Sequence, residues 1–219
     1  MWTSQEGMFM PPTPTQTRTP PMHRKAKIQD NLLFFSKFFR HGTKIASIWP
    51  SSKALSKATI KQINWDSAKV IVELGAGTGP ITEAIIKKLQ PHTTFIAIER
   101  DRDFAKILQE RFAGLQNVHI VQADVRDLDS VLKKHNVTDV DAFVSGLATP
   151  SLPLAVRKRM LASVRRHLVD GGVFSNITEV PFVYWRYYKR LFKDVSFDFV
   201  AINMPPGGVY HCRTCRRAS

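Results

Sequence analysis

Short apolar runs alternate with amphipathic stretches between residues 69 and 178. The apolar runs are rich in β-branched residues and predict strands at Lys69–Leu74, Thr94–Glu99, Val118–Gln122, Val140–Ser145 and Gly172–Thr178. The stretches between them have helical spacing and predict helices at Pro80–Leu89, Asp103–Phe112, Leu128–Lys134 and Leu152–Leu168. This alternation predicts an α/β fold, in which a mostly parallel sheet has helices on both faces.

The last part of the domain follows a different pattern. Two further strands are predicted at Val195–Ile202 and Val209–Arg213, and the turn-rich segment 204–208 joins them. Strands joined without a helix do not fit a purely parallel sheet, so one of the two is expected to be antiparallel. The predicted sheet therefore has seven strands.

The amino-terminal region divides into two parts. Residues 1–24 are rich in Pro, Thr and Gln and predict a disordered tail. Within residues 25–42, Ile28, Leu32, Phe35 and Phe39 recur at helical spacing and predict an amphipathic helix. The sheet domain is then assigned to residues 43–219.

Charge and cysteine content narrow the classes of partner. The chain has 32 Lys and Arg against 18 Asp and Glu, a net charge of +14, which favours an anionic partner such as nucleic acid or an anionic membrane. Cys212 and Cys215 lie beside His211 at a spacing that suits zinc, but no second ligand pair exists, so no metal is predicted. No run of 18 apolar residues and no signal peptide is present, so a cytoplasmic protein is expected.

A glycine-rich segment follows the first strand and precedes a helix. Its sequence is Glu73-Leu74-Gly75-Ala76-Gly77-Thr78-Gly79. Glycines at the end of a parallel strand allow a tight turn and close approach of a ligand to the backbone. The spacing is G-x-G-x-G and not the G-x-G-x-x-G of dinucleotide sites. The acidic Glu73 suits a cationic aminoacyl-sulfonium ligand better than a pyrophosphate.

Two further acids follow the next two strands. Glu99, 24 residues after Gly75, can accept both ribose hydroxyls of an adenosine, and Arg100 adjoins it. Asp124 can accept the adenine amino group while Val125 packs on the ring. Each acid alone can be explained as a turn or helix-start residue, but acids at three successive strand ends favour a ligand site.

These motifs resemble those of class I S-adenosylmethionine-dependent methyltransferases over about residues 43–215. Further segments are similar to the bacterial phospholipid N-methyltransferases and the related ornithine-lipid N-methyltransferases: Phe34-Phe35-x-x-Phe38-Phe39-Arg40, Ser47-Ile48-x-Pro50-Ser51-Ser52, Ser145-Gly146-Leu147 and Asn203-x-Pro205-Pro206-x-x-Val209. The resemblance implies a Rossmann-like seven-stranded sheet, S-adenosylmethionine as methyl donor and S-adenosylhomocysteine as product, without a metal. It also implies that Ser145 and Gly146 lie beside the methionine end of the donor.

The acceptor segments depart from two known patterns. Residues 145–153 lack the Asn/Asp-Pro-Pro-Tyr/Phe motif of adenine N-methyltransferases, so RNA is not the preferred substrate. The lipid enzymes tend to have Gln-x-Thr-Tyr after the fifth strand, where this chain has Asn176-Ile177-Thr178-Glu179. The acid at 179 favours a different amine, such as the ornithine headgroup. Candidate catalytic residues are Ser51, Glu179 and Tyr184, and candidate lipid-binding residues are Ser51, Arg186 and Tyr187.

A lipid substrate also explains features outside the cofactor motifs. The helix at Ile28–Phe39 has the makeup of an interfacial helix, although it can equally pack across the core or cap the cleft. The aromatic and basic residues at 184–189 favour a membrane–water interface. The expectation is a monomer that binds peripherally to the inner face of the cell membrane. RNA or protein N-methylation, and a non-catalytic membrane-binding role, remain the alternatives.

Overall fold

The computed structural model describes residues 50–147, 149, 152–179, 182–201 and 206–214. The predicted tail at residues 1–24 and the predicted helix at residues 25–42 lie outside the described residues. Within the described residues, no helix is both long enough and apolar enough to cross a membrane.

Seven strands form one sheet in the order β3-β2-β1-β4-β5-β7-β6. The strands are β1 Val70–Leu74, β2 Thr94–Glu99, β3 Val118–Gln122, β4 Val140–Ser145, β5 Leu168–Thr178, β6 Asp194–Val200 and β7 Gly207–Arg213. Neighbouring strands are parallel except that β7 is antiparallel to both β5 and β6. The prediction of a seven-stranded, mostly parallel sheet with one antiparallel terminal strand is confirmed.

Among the described residues, one helix precedes the first strand and five lie between consecutive strands. The alternation of helices and strands agrees with the hydrophobic pattern. The helices are α1 Pro50–Thr59, α2 Pro80–Ile86, α3 Arg102–Arg111, α4 Leu128–Lys134, α5 Leu154–His167 and α6 Trp185–Lys189, and a 3₁₀ turn covers Val125–Asp127. Asp101 caps α3, because its carboxylate accepts hydrogen bonds from the backbone N–H groups of Asp103 and Phe104. The helix predicted to reach Leu89 ends earlier, at Ile86.

The boundary between α5 and β5 differs from the sequence prediction. The strand was expected to begin at Gly172, but it begins at Leu168 and includes Asp170 and Gly171. Gly171 has φ +73, a conformation that glycine adopts without steric cost, and the pairing with β4 is irregular between Val140 and Ala142. An irregular strand of this kind leaves no period-two pattern in the sequence.

Alternate residues of the central strands fill two hydrophobic layers. On one face, Phe143 and Phe174 pack with Tyr188 and Tyr210. On the other face lie residues that include Ile71, Ile85, Phe95, Leu108 and Val144. Because β1, β2 and β4 are covered on both faces, they are continuous apolar runs and not alternating ones.

The strand order reverses between β1 and β4, which are direct neighbours with Leu74 paired to Ser145. In open parallel sheets, ligands bind outside the carboxyl ends of the strands at such a switch point. The topology therefore brings Glu73, Glu99, Asp124 and Ser145 to one edge of the sheet. Asn176 joins them, because it is paired with Ser145 on β5.

Candidate active site

The glycine loop connects the end of β1 to the start of α2. Gly75, Gly77 and Gly79 have φ values of +76, +55 and +89. All three are in the left-handed region, which side chains other than glycine rarely adopt. A Cβ at Gly79 would also lie 2.6 Å from Leu108, which is buried beneath the loop. The G-x-G-x-G spacing therefore follows directly from the backbone conformation.

Glu99 holds this loop in place. One carboxylate oxygen accepts a hydrogen bond from the backbone N–H of Gly77 at 2.7 Å, and the other accepts from the N–H of Asp101 at 2.8 Å. The backbone N–H of Gly75 donates to the carbonyl of Ile98 at 2.8 Å. A carboxylate has about four acceptor positions, so Glu99 can position the loop and still accept hydroxyl groups from a ligand.

Glu73 is fully buried at the end of β1. Its Oε2 atom accepts a hydrogen bond from the Thr82 hydroxyl at 2.6 Å, while Oε1 has no hydrogen-bond partner among the described residues. Burial raises the pKa of Glu73 to about 8, the Thr82 hydrogen bond opposes this rise, and the charge of Glu99 adds to it. A buried carboxyl oxygen without a protein donor suits a ligand that brings a positive charge or an N–H group.

Asp124 starts the 3₁₀ turn after β3 and forms an ion pair with Arg126. Asp124 Oδ1 accepts from the backbone N–H of Arg126 at 2.9 Å and lies 3.0 Å from Arg126 Nε. Partial burial opposes ionisation of Asp124, but the hydrogen bonds and charge of Arg126, with the charge of Arg100, outweigh it. The pKa of Asp124 is therefore lowered. Val125 is partly buried and packs against the core beside it.

The ends of β4 and β5 carry a group of buried polar side chains. Ser145 is buried, and its hydroxyl accepts from the backbone N–H of Leu147 at 3.3 Å, which stabilises the turn after β4. The Thr149 hydroxyl donates to Asn176 Oδ1 at 2.5 Å, and both residues are fully buried. These side chains join the acceptor segment after β4 to the end of β5.

Gly146 is in direct contact with the glycine loop. A Cβ on Gly146 would lie 2.7 Å from the carbonyl oxygen of Gly75, which is closer than such atoms can approach. The backbone N–H of Gly146 donates to the carbonyl of Leu74 at 3.1 Å. The segment after β4 therefore packs tightly on the glycine loop, and the Leu147 side chain also lies against Gly75.

The residues predicted to bind the methyl acceptor lie at the same edge of the sheet. They are more exposed than the buried Glu73, Ser145 and Asn176. Glu179 directly follows β5; its side chain is exposed, yet nearby protein atoms partly desolvate the carboxyl and raise its pKa. Tyr184 is partly buried against the core, and its backbone N–H donates to the Tyr210 hydroxyl at 3.2 Å. The Tyr187 ring contacts the Arg157 guanidinium at 4.9 Å, and Arg186 is exposed. Ser51 lies in α1, but its side chain is outside what the structure describes.

Sequence reasoning did not single out three of the residues that build this edge. Thr82 binds Glu73, Arg126 binds Asp124, and Thr149 binds Asn176. The last pair is separated by 27 residues and has no local signal. Arg126 and Thr82 could have been found from their spacing, because each lies within one turn of a predicted strand end or helix start.

Of the C-x-x-C spacing at the carboxyl-terminal end, the structure describes Cys212 and the neighbouring His211. His211 and Cys212 are neighbours on β7, so their side chains point to opposite faces of the sheet. His211 Nδ1 lies 2.8 Å from the Ser175 hydroxyl, and burial lowers the pKa of His211 to about 4. Cys212 is buried in the core, which raises the pKa of its thiol, and Cys215 lies outside the described residues.

Comparison with known proteins identifies the class of enzyme that has this fold. A family model described as a methyltransferase domain matches residues 72–174. A methyltransferase structure from Burkholderia thailandensis, the 1,6-didemethyltoxoflavin N1-methyltransferase with S-adenosylhomocysteine, covers 92% of this chain and 93% of its own, with a TM-score of 0.63 and 15% identity. A Thermus thermophilus 16S rRNA guanine N2-methyltransferase has a TM-score of 0.54 and 20% identity, over 76% of this chain and 43% of its own. The protein is a class I S-adenosylmethionine-dependent methyltransferase.

Comparison with related sequences identifies the family within this class. An ornithine lipid N-methyltransferase from Singulisphaera acidiphila is 47% identical over 186 residues, which are 85% of this chain and 97% of that enzyme. A ribosomal RNA small subunit methyltransferase A from Acidobacterium capsulatum is 32% identical, but only over 41% of this chain and 31% of that enzyme. The chain belongs to the family of the ornithine lipid N-methyltransferase.

The contact between Gly146 and Gly75 gives a specific prediction. We expect Gly146→Ala to weaken the binding of S-adenosylhomocysteine about tenfold, roughly 1.4 kcal/mol, because the added methyl group must displace the glycine loop. Isothermal calorimetry measures this affinity. Gly114→Ala is the control: it strains a backbone with φ +90 but meets no atom within 4 Å, so it should leave the affinity unchanged. Equal loss of affinity in both variants would contradict the prediction.

Proposed function

We propose that the protein transfers methyl groups from S-adenosylmethionine to the primary amine of a membrane aminolipid, either ornithine lipid or phosphatidylethanolamine. The observation that carries this proposal is the 47% identity to an ornithine lipid N-methyltransferase, which extends over 97% of that enzyme. Because the match spans both halves of the sheet, it includes the acceptor segments as well as the cofactor loop. The reaction would take place at the inner face of the cell membrane, where the headgroup is accessible.

On the donor side, the residues fit a cationic adenosyl compound. Buried Glu73 has one oxygen without a hydrogen-bond partner among the described residues, and on ionisation it would balance a positive charge. Glu99 would accept the ribose hydroxyls while it holds the loop through Gly77. Asp124 and Val125 would bind the adenine, with Arg126 keeping Asp124 ionised. Ser145 and Gly146, with the loop residues Ala76 and Thr78, would contact the amino-acid end.

On the acceptor side, the protein has to bring a neutral amine into line with the methyl group. The cofactor supplies a methyl carbon that is already activated by the sulfonium, so positioning and exclusion of water are the main tasks of the protein. Glu179 is the residue that we assign to the amine, because it directly follows β5 at this edge and desolvation raises the pKa of its carboxyl, which favours accepting a proton. Tyr184 and Ser51 would border the amine. Arg186 and Tyr187 would hold the anionic part of the headgroup.

An adenine acceptor is less well supported. The segment after β4 reads Ser145-Gly146-Leu147-Ala148-Thr149-Pro150 and lacks the aromatic residue that stacks on a flipped base. The similarity to the ribosomal RNA enzyme covers less than half of the chain.

The proposal is tested by incubating the protein with methyl-labelled cofactor and vesicles that contain ornithine lipid, phosphatidylethanolamine or neither. We expect label only in vesicles with an aminolipid, and mass spectrometry of the product then gives the number of methyl groups. Glu179→Gln should reduce turnover about tenfold or more while leaving the affinity for S-adenosylhomocysteine unchanged. The absence of label in both aminolipids, with cofactor binding intact, would refute the proposed function.

A further inference from the structure

Large apolar side chains are exposed mainly in one region of the described structure. Six such residues are found among the described residues, and four of them share one edge of the sheet: Leu154, Phe182, Val183 and Phe199, which are 55%, 62%, 64% and 56% exposed. The other two, Ile107 and Leu115, lie in and after α3, on the opposite side of the switch point. Single exposed apolar residues are common, but a cluster indicates an interaction surface.

A ring contact joins Phe182 to strand β6. The Phe182 ring lies 4.8 Å from the Phe197 ring. Phe197 and Phe199 are two residues apart on β6, so they project from the same face. On the neighbouring side, Arg157 contacts Tyr187, and Leu154 lies one helical turn before Arg157 on the same face of α5. We call the set Leu154, Phe182, Val183 and Phe199 the apolar rim.

The backbone at Phe182 is held in an unfavourable conformation. Its φ is +64, in the left-handed region, which is a strained position for a bulky side chain. Glycine or asparagine would fit this position at lower cost. The chain instead has an exposed aromatic ring there, which is expected when the ring itself has a role.

Basic residues lie beside the apolar rim on the first turns of α5 and on α6. Helices α5 and α6 contain no acidic residue, and the parts nearest the rim contribute Arg157, Lys158, Arg159, Arg186 and Lys189. Lys189 lies 5.1 Å from the centre of the Trp185 ring. Exposed apolar groups beside cationic residues match the interface of an anionic bilayer, where apolar side chains enter the acyl boundary and cations attract the headgroups.

The position of the apolar rim relates it to the active site. Strands β5 and β6 run in the same direction as β1, because β7 is antiparallel to both β5 and β6. The residues after β5 and at the end of β6 are therefore at the same sheet edge as the glycine loop. A bilayer that contacts this rim would present its headgroups to the acceptor side of the switch point.

We infer that the apolar rim is the surface through which this protein docks on an anionic phospholipid bilayer. The inference rests on the proposed function for the identity of the partner. Because docking does not depend on methyl transfer, it can be tested without the cofactor. The apolar rim could instead be covered by segment 28–39 of this chain or by a second copy of the chain. Each of these alternatives gives its own result in the test.

The experiment measures partitioning of the full chain onto vesicles by co-sedimentation, with no cofactor present. The vesicles contain phosphatidylethanolamine and phosphatidylglycerol, and vesicles of phosphatidylcholine are the uncharged comparison. We expect Phe182→Ser/Phe199→Ser to lower the partition coefficient for the anionic vesicles at least about tenfold, since two large apolar side chains no longer enter the interface. Ile107→Ser, which removes a side chain that is 54% exposed on α3, is the matched control and should bind like the parent.

Three results would overturn the inference. The double variant could bind the vesicles as tightly as the parent protein. The substitutions could convert a dimer to a monomer in sedimentation velocity, which would make the rim a self-association surface. They could instead make segment 28–39 newly sensitive to limited proteolysis without a change in vesicle binding, which would show that this segment covers the rim. Leu154→Ser/Val183→Ser repeats the test if the first variant is unstable.

Failure of this inference and failure of the proposed function give different results. Turnover on aminolipid dispersed in detergent micelles reports the reaction without a bilayer. If the rim variant loses vesicle binding but methylates the micellar lipid, the result supports both the docking surface and the proposed function. If the parent protein docks through the rim and methylates neither aminolipid, the docking surface stands and the proposed function is wrong.

Discussion

Glu73→Gln is expected to stabilise the protein by about 3 kcal/mol at pH 7 and to weaken cofactor binding about tenfold. The carboxyl group is fully buried with one oxygen unpartnered, and burial raises its pKa from 4.5 to about 8. Between these two values the folded protein retains a proton that the unfolded chain releases. The free energy of unfolding therefore falls by up to about 1.4 kcal/mol for each pH unit of increase, until Glu73 ionises in the folded state.

The measurement is urea unfolding of the parent and the variant at several values between pH 5 and pH 8. Glutamine has no proton to lose, so the two proteins should differ by less than about 1 kcal/mol near pH 5 and diverge as the pH rises. Glu110→Gln removes an exposed carboxyl on α3 and should show no such divergence. Stabilities that stay parallel over the whole range would contradict the prediction. A gain of stability with loss of cofactor affinity is the pattern expected of a residue kept for binding.

Glu99→Ala is expected to weaken S-adenosylhomocysteine binding at least about 100-fold, which corresponds to roughly 3 kcal/mol. The substitution removes the acceptor for the backbone N–H groups of Gly77 and Asp101 and the proposed acceptor for the ribose hydroxyls. Hydrogen bonds to a charged group contribute about 1.5–3 kcal/mol each, so the loss of two or more is enough for this effect. Calorimetry or fluorescence titration measures the affinity.

A conservative variant separates the two roles of Glu99. Glu99→Gln keeps one carbonyl acceptor and should lose affinity by an intermediate factor, whereas Glu110→Ala should have no effect. The thermal midpoint of each variant shows whether the sheet is still folded. A folded Glu99→Ala protein that binds the cofactor within about threefold of the parent would show that Glu99 has no contact with it.

Most of the fold could be predicted from the sequence because each strand is a separate apolar run. Buried parallel strands such as Val70–Leu74 and Thr94–Glu99 have clear limits, and the structure places them within one residue of the expected positions. The start of β5 was missed because Gly171 and the irregular pairing with β4 produce no periodic pattern. The position of β7 between β5 and β6 depends on long-range pairing, which local patterns do not specify.

For the candidate site, the sequence could predict which residues reach the sheet edge but not what they contact. Glu73, Glu99 and Asp124 were placed correctly at three strand ends by their position after apolar runs. Their partners Thr82, Gly77 and Arg126 depend on how the loops fold back. Such contacts are set by tertiary packing. The orientation of His211 and Cys212 is a further example, since only the strand assignment shows that these two side chains point to opposite faces of the sheet.

The backbone contact between Gly75 and Gly146 has an evolutionary consequence. At this contact, the carbonyl group of Gly75 leaves no room for a side chain at position 146, so substitution there would displace the glycine loop. Residues after β5, such as Glu179, are exposed and can change without moving that contact. New amine substrates can therefore arise by substitution on the acceptor side while the machinery for the methyl donor stays constant.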